Sequence, residues 1–123
     1  MPATLTVGKE FRFEAAHSLP HLPEGHKCRN LHGHSYRFRV DIKGPIDPRD
    51  GFVIDYAEIS KHVDPIVARL DHQNLDEIFA KATTAENIAI WLFREVEDRV
   101  GRCERITLWE TPTSVVIYEG GEG

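Results

Sequence analysis

The chain has 123 residues, enough for one domain spanning 1–123, with 41% hydrophobic and 28% charged residues. A formal net charge of -5 argues against general nucleic-acid binding, which needs cations to neutralise phosphates. No run reaches transmembrane length, Met1 to Glu10 lacks a signal-peptide core, and two cysteines make no disulfide framework, so a membrane role is not expected and the expected compartment is the cytoplasm.

Along the chain, Leu5, Val7, Phe11, Phe13 and Ala15 share one parity, and Gly8, Glu10, Arg12 and Glu14 share the other. That alternation predicts a half-buried strand from Thr4 to Ala15, with His17 at its end. Tyr36, Phe38, Val40 and Ile42 alternate with Arg37, Arg39, Asp41 and Lys43, giving a second strand that the Gly44–Gly51 turn chemistry ends. Asp55 with Glu58 marks a helix start, followed by Ile59, Val63, Ile66, Val67 and Leu70 at helical spacing. Pro65 falls inside this pattern, so the helix is expected to kink or break there. Thr83-Thr84-Ala85-Glu86 fits a capping box, which places Thr83 at the cap of a second helix that Gly101 stops. Strands are expected over about Arg105 to Thr111 and Ser114 to Glu119, turning at Pro112-Thr113. The order implies an α+β domain: a four-stranded antiparallel sheet with two helices on one face. Its two open edges are a liability, and association through them is expected.

The densest chemistry lies in Cys28-Arg29-Asn30-Leu31-His32-Gly33-His34. Residues two apart on a strand point the same way, so His32 and His34 reach one ion. If the first two strands pair as a hairpin, His17 joins them from the neighbouring strand end. Three imidazoles with an open fourth position are the ligand pattern of catalytic zinc, although other divalent ions also accept imidazole. His21, His26 and His62 have no such company. Cys28 sits between Lys27 and Arg29, whose charge favours a thiolate. It reads as a proton-abstracting base ahead of a fourth zinc ligand or an inert thiol. Cys103 reads as structural. Asp71-His72 taken alone fits a polar helix end, while a carboxylate beside an imidazole also suits proton transfer. Glu110 shares parity with Ile106 and Leu108, so it needs either a donor partner, such as a guanidine-like ligand edge, or an open strand facing solvent. Lys27 and His26 supply positive charge suited to a phosphate group.

Phe13-Glu14-Ala15-Ala16-His17, the Cys28–His34 stretch, Leu70-Asp71-His72 and Trp109-Glu110-Thr111 occur in the order seen in the 6-pyruvoyl-tetrahydropterin synthase family, which the chain resembles over nearly its whole length. The short gap from Cys28 to His32 resembles the bacterial 6-carboxy branch that serves queuosine synthesis; animal-type members place more residues there. A branch using glutamate in place of the thiol is disfavoured by Cys28. The resemblance implies the tunnelling fold, in which trimers close a twelve-stranded barrel and commonly stack as hexamers, with sites between subunits. It implies a zinc-dependent lyase acting on a pterin triphosphate. By the same likeness His17, His32 and His34 hold Zn2+, Cys28 abstracts a proton, and Asp71 and His72 form its relay. Glu110 anchors the pterin ring and is sometimes placed in the relay. Thr84 and Thr111 lie where pterin contacts are expected, although the serine that follows the threonine in the family is Ala85 here.

Overall fold

The structure is a computed structural model that describes residues 2–121. β1 (Thr4–His17) and β2 (His32–Pro45) form a long antiparallel hairpin whose register runs from Thr4 opposite Pro45 to His17 opposite His32. Helix α1 (Tyr56–Leu70) and the two-residue β3 (Gln73–Asn74) follow, then α2 (Ala85–Val100), β4 (Arg105–Thr111) and β5 (Ser114–Tyr118). The sheet order is β3-β1-β2-β4-β5.

One face of the sheet carries the alternating apolar set. Phe11, Phe13, Tyr36, Phe38, Val40, Ile42, Ile106 and Leu108 are buried in one cluster with Ile59, Val63, Ile66 and Leu70 of α1 and Ile88, Ala89, Leu92 and Val96 of α2. Each fully buried large side chain contributes on the order of 1.5–3 kcal/mol of transfer free energy, so this stripe pins both helices to one face.

Three expectations are corrected. The sheet is mixed and five-stranded, because β3 adds parallel to β1 through Ala15 and Ala16. Two residues carry no alternation, and this strand is held by contacts remote in sequence: the His72 amide donates to the Glu14 carbonyl at 2.6 Å and the Glu14 amide to the Asp71 carboxylate at 2.8 Å. α1 is a single helix through Pro65. Pro65 lies on the exposed side, while Ile59, Val63, Ile66 and Leu70 are fully buried, so apolar packing outweighs the one backbone hydrogen bond that proline removes. The cap of α2 is Thr84, whose hydroxyl accepts from the Asn87 amide at 3.3 Å, and not Thr83. Thr83 is 1% exposed and turned inward. Asp55 caps α1 by accepting from Ala57, and Gly101 ends α2 at φ 94°, a left-handed conformation in which a side chain is strained.

Candidate functional site

Alternation along the hairpin carries the apolar parity of β1 and β2 out to their open ends. His17, His32 and His34 therefore lie on the core-side face, above Phe13 and Tyr36. The three rings meet edge to face, with centroids 4.6 Å (His17–His32), 5.1 Å (His17–His34) and 4.8 Å (His32–His34) apart. One nitrogen from each lies within 4.8 Å of the others.

Two of the rings have their tautomers fixed. His17 Nδ1 is 2.7 Å from the Thr83 carbonyl, and His32 Nδ1 is 2.7 Å from the Asn30 carbonyl. A carbonyl only accepts, so each Nδ1 carries the proton and each Nε2 keeps its lone pair. Burial holds His34 below the ordinary imidazole pKa; Glu110 pulls the other way and is outweighed, and His17 and His32 add to the fall. His17 Nε2 and His34 Nε2 are buried without a hydrogen-bond partner among the described residues. An unpaired buried acceptor is costly, so the two atoms fit a cation between them. The residues thus suit a divalent metal with nitrogen ligands, and backbone carbonyls behind two of the ligands are the usual means of aiming a metal-binding imidazole.

A polar chain supports His17 from behind. Asp76 accepts from the Ser18 amide at 2.9 Å, the Ser18 hydroxyl at 2.6 Å and the Thr83 hydroxyl at 2.8 Å. Burial works to raise the Asp76 pKa, but these hydrogen bonds outweigh it and hold the carboxyl below its usual range. Ser18, Asp76 and Thr83 were not legible as site residues. Their one signal was adjacency, of Ser18 to His17 and of Thr83 to Thr84.

The other sequence-predicted residues divide into five places. Glu110 joins the histidines: its carboxylate oxygens lie 4.0 Å from His17 Nε2 and 3.9 Å from His34 Nε2, and its side chain is 27% exposed. The parity expectation holds, and a cationic centre is one answer to the missing partner. Cys28 lies in a short 3-10 turn, Lys27–Arg29, and its thiol is not in the converging group. Its amide donates to His26 Nδ1 at 3.1 Å and its carbonyl accepts from Leu19, which fixes the turn. Lys27 is exposed on the same turn and lines a loop groove of about 500 Å3 with His26, Arg29 and Glu24.

Asp71 and His72 form a pair, with Asp71 Oδ2 3.0 Å from His72 Nδ1. The Glu14 amide and then His72 hold the Asp71 carboxyl below its ordinary pKa. The His72 side chain is 77% exposed and its backbone takes φ 59°, an uncommon conformation that turns the ring outward. It shares an open groove of about 500 Å3 with His34, Glu14 and Asn74. Thr84 is tied to its helix cap. Thr111 lines a different groove of about 430 Å3, with Trp109, Arg37 and Arg12, whose lining does not include Glu110. Cys103 is half-buried, and burial pushes its thiol up to about 12, consistent with an inert group.

Tyr36 is the residue that sequence reasoning placed only in the core. It is 1% exposed, stacks on Phe13 at 4.7 Å and stands 5.5 Å from the His34 ring. Its hydroxyl is buried without a partner among the described residues. Burial, then the charges of Glu110 and Asp76, push its pKa well above the ordinary phenol value. Its parity with His32 and His34 was the available signal.

No helix among the described residues is long and apolar enough to cross a membrane. Residues 6–121 match the profile of the family described as 6-pyruvoyl tetrahydropterin synthase. A 6-carboxy-5,6,7,8-tetrahydropterin synthase of Synechocystis is 42% identical over 119 residues, covering 91% of each chain. A dihydroneopterin monophosphate aldolase of Pyrococcus furiosus is 35% identical, covering 80% of this chain and 82% of its own. The solved 6-pyruvoyl tetrahydropterin synthase of Caenorhabditis elegans has the same fold, with a TM-score of 0.89 over 98% of both chains at 29% identity. The three converging histidines thus sit in a chain whose sequence and fold agree on one assignment: it belongs to the 6-pyruvoyl tetrahydropterin synthase family of pterin-processing lyases.

Proposed function

We propose that the chain is a zinc-dependent lyase that converts 7,8-dihydroneopterin triphosphate to 6-carboxy-5,6,7,8-tetrahydropterin, releasing acetaldehyde and triphosphate, in queuosine (7-deazapurine) biosynthesis. The observation that carries this reading is the three-imidazole cluster, with its two orphaned Nε2 atoms next to Glu110. The 42% identity to a carboxy synthase supports the branch, as does the short gap between Cys28 and His32.

His17, His32 and His34 are the residues that would hold zinc, since neutral imidazoles are its common ligands. Zinc bound there would supply Lewis acidity, which makes C–H bonds beside the substrate's side-chain hydroxyls easier to ionise. Cys28 would take the proton from carbon, its thiolate favoured by Lys27 and Arg29. His72, aimed by Asp71 through their 3.0 Å contact, would return a proton. Glu110 would accept two hydrogen bonds from the amino and ring N–H edge of the pterin and so fix the side chain over the metal. Thr84 and Thr111 would contact the ring, and Lys27 the triphosphate.

Neither the Cys28 thiol nor the His72 ring is in the converging histidine group of one chain, which supports a homo-oligomer, a trimer or dimer of trimers, in which neighbours complete each site. The exposed side chains of Val115 and Ile117 on edge strand β5 fit the same assembly, because an exposed apolar edge strand calls for a cover.

A second reading is a 6-pyruvoyl tetrahydropterin synthase, which eliminates triphosphate and keeps all three side-chain carbons; the likeness to the nematode structure favours it. Incubation with dihydroneopterin triphosphate and mass spectrometry of the pterin separates the two. The carboxy product is expected, and absence of any turnover by zinc-replete protein would remove both readings.

A further inference from the structure

Three side-chain atoms are buried without a partner among the described residues: His17 Nε2, His34 Nε2 and the Tyr36 hydroxyl oxygen. A cation between them accounts for the two imidazole nitrogens. It does not account for Tyr36, because a neutral phenol that keeps its proton needs an acceptor.

With the imidazole nitrogens turned to a cation, the acceptors left nearby are the carboxylates of Glu110 and Asp76. Asp76 already receives three hydrogen bonds from Ser18 and Thr83. Glu110 receives none among the described residues. β2 and β4 pair Arg37 with Trp109 and Phe38 with Leu108, and this register continued by one residue sets Tyr36 across from Glu110. Both belong to the core-side parity of their strands. Tyr36 has little freedom to turn elsewhere. Its ring lies flat on Phe13, with an interplanar angle of 10°, and edge-on to His34 and His17 at 5.5 and 6.2 Å.

We infer that Tyr36 is a positioning residue for Glu110: in the ligand-bound site its hydroxyl donates to the carboxylate and holds it in the orientation that grips the pterin N–H edge. Without a ligand the hydroxyl is left unpaired, which is a loss to the fold. The hydroxyl therefore works against stability and for binding, a combination that a purely structural tyrosine does not give. This inference rests on the pterin reading above.

The test is Tyr36→Phe, which keeps the ring and its packing, studied as the zinc-loaded protein. The ligand is unsubstituted pterin, 2-amino-4-oxopteridine, followed by its intrinsic fluorescence, beside thermal melts without ligand. The expected result is a Tm equal to or above that of the parent, unchanged zinc content, and pterin affinity lower by about tenfold, the effect of one charge-assisted hydrogen bond. In a Glu110→Gln background the same substitution should weaken binding much less, since the two side chains act together. A lower Tm with unchanged pterin affinity, or an equal loss of affinity in both backgrounds, would overturn the inference. The parent protein's own isotherm tests the pterin reading separately: no binding there removes that reading, whereas the ratio of variant to parent reports on Tyr36.

Discussion

His17 and His32 each bond Nδ1 to a backbone carbonyl, and that choice leaves Nε2 free to bind a metal. The histidines were legible in sequence because strand parity alone decides which side chains share a face. Cys28 was legible only in part, since its charged neighbours favour a thiolate but say nothing of its distance from the cluster. In the structure the thiol lies outside the converging group. Cys28→Ala is accordingly expected to keep stoichiometric zinc by atomic absorption while turnover falls roughly a hundred- to ten-thousand-fold, the range for losing a general base. Loss of zinc in that variant would instead make Cys28 a ligand. Asp76 acts one step further back, and nothing in its local sequence distinguishes it from a solvated acid. Its folded pKa is depressed, so its contribution to stability is fully present above the ordinary aspartate value and is lost as pH falls through the depressed one. Asp76→Asn should flatten the acid limb of Tm against pH, measured from neutral down to about pH 2. It should also weaken zinc binding by up to about tenfold, because Thr83 then aims His17 less well.

The long hairpin and both helices were readable as elements because their apolar periods run over many residues. The errors fell where a tertiary contact overrode a local rule. Pro65 signals a break, yet four fully buried residues on the opposite stripe hold α1 together around it. Thr83 and Thr84 are both residue types that cap helices, and only Thr83 has the glutamate three residues on. The half-buried hydrogen bond to Asp76 takes Thr83 and leaves the cap to its neighbour. β3 exists because the Asp71 carboxylate and the His72 amide clamp the chain to Glu14, a partner 57 residues from Asp71. The same clamp presents His72 outward, so a strand too short to recognise positions a candidate relay residue. At the other end of the element scale, Gly101 closes α2 with φ 94° and no neighbouring atom near a Cβ. Gly101→Ala is therefore expected to cost about 1 kcal/mol through backbone strain alone, read from chemical denaturation, with zinc content and turnover unchanged.

At the scale of the whole molecule, the sheet does two tasks with its two faces. The helix side supplies the core and carries that parity out to the histidine cluster. The opposite side carries Arg12, Arg37 and Trp109, with the Arg37 guanidinium 3.8 Å from the Trp109 ring centre, in a groove that Thr111 shares. The metal centre was legible because both of its strands were. The complete site was not, because no local rule in a single sequence places the Cys28 turn, the His72 groove and the Thr111 groove relative to the histidines. The family assignment narrows the chemistry to pterin processing, and relatives with different names match this chain in sequence, so the outcome for the side chain is the decisive point. The direct measurement is the ratio of acetaldehyde to triphosphate released when zinc-loaded protein consumes 7,8-dihydroneopterin triphosphate. One acetaldehyde is expected for each triphosphate, with a carboxylated pterin left behind. Triphosphate released with no acetaldehyde would contradict this expectation.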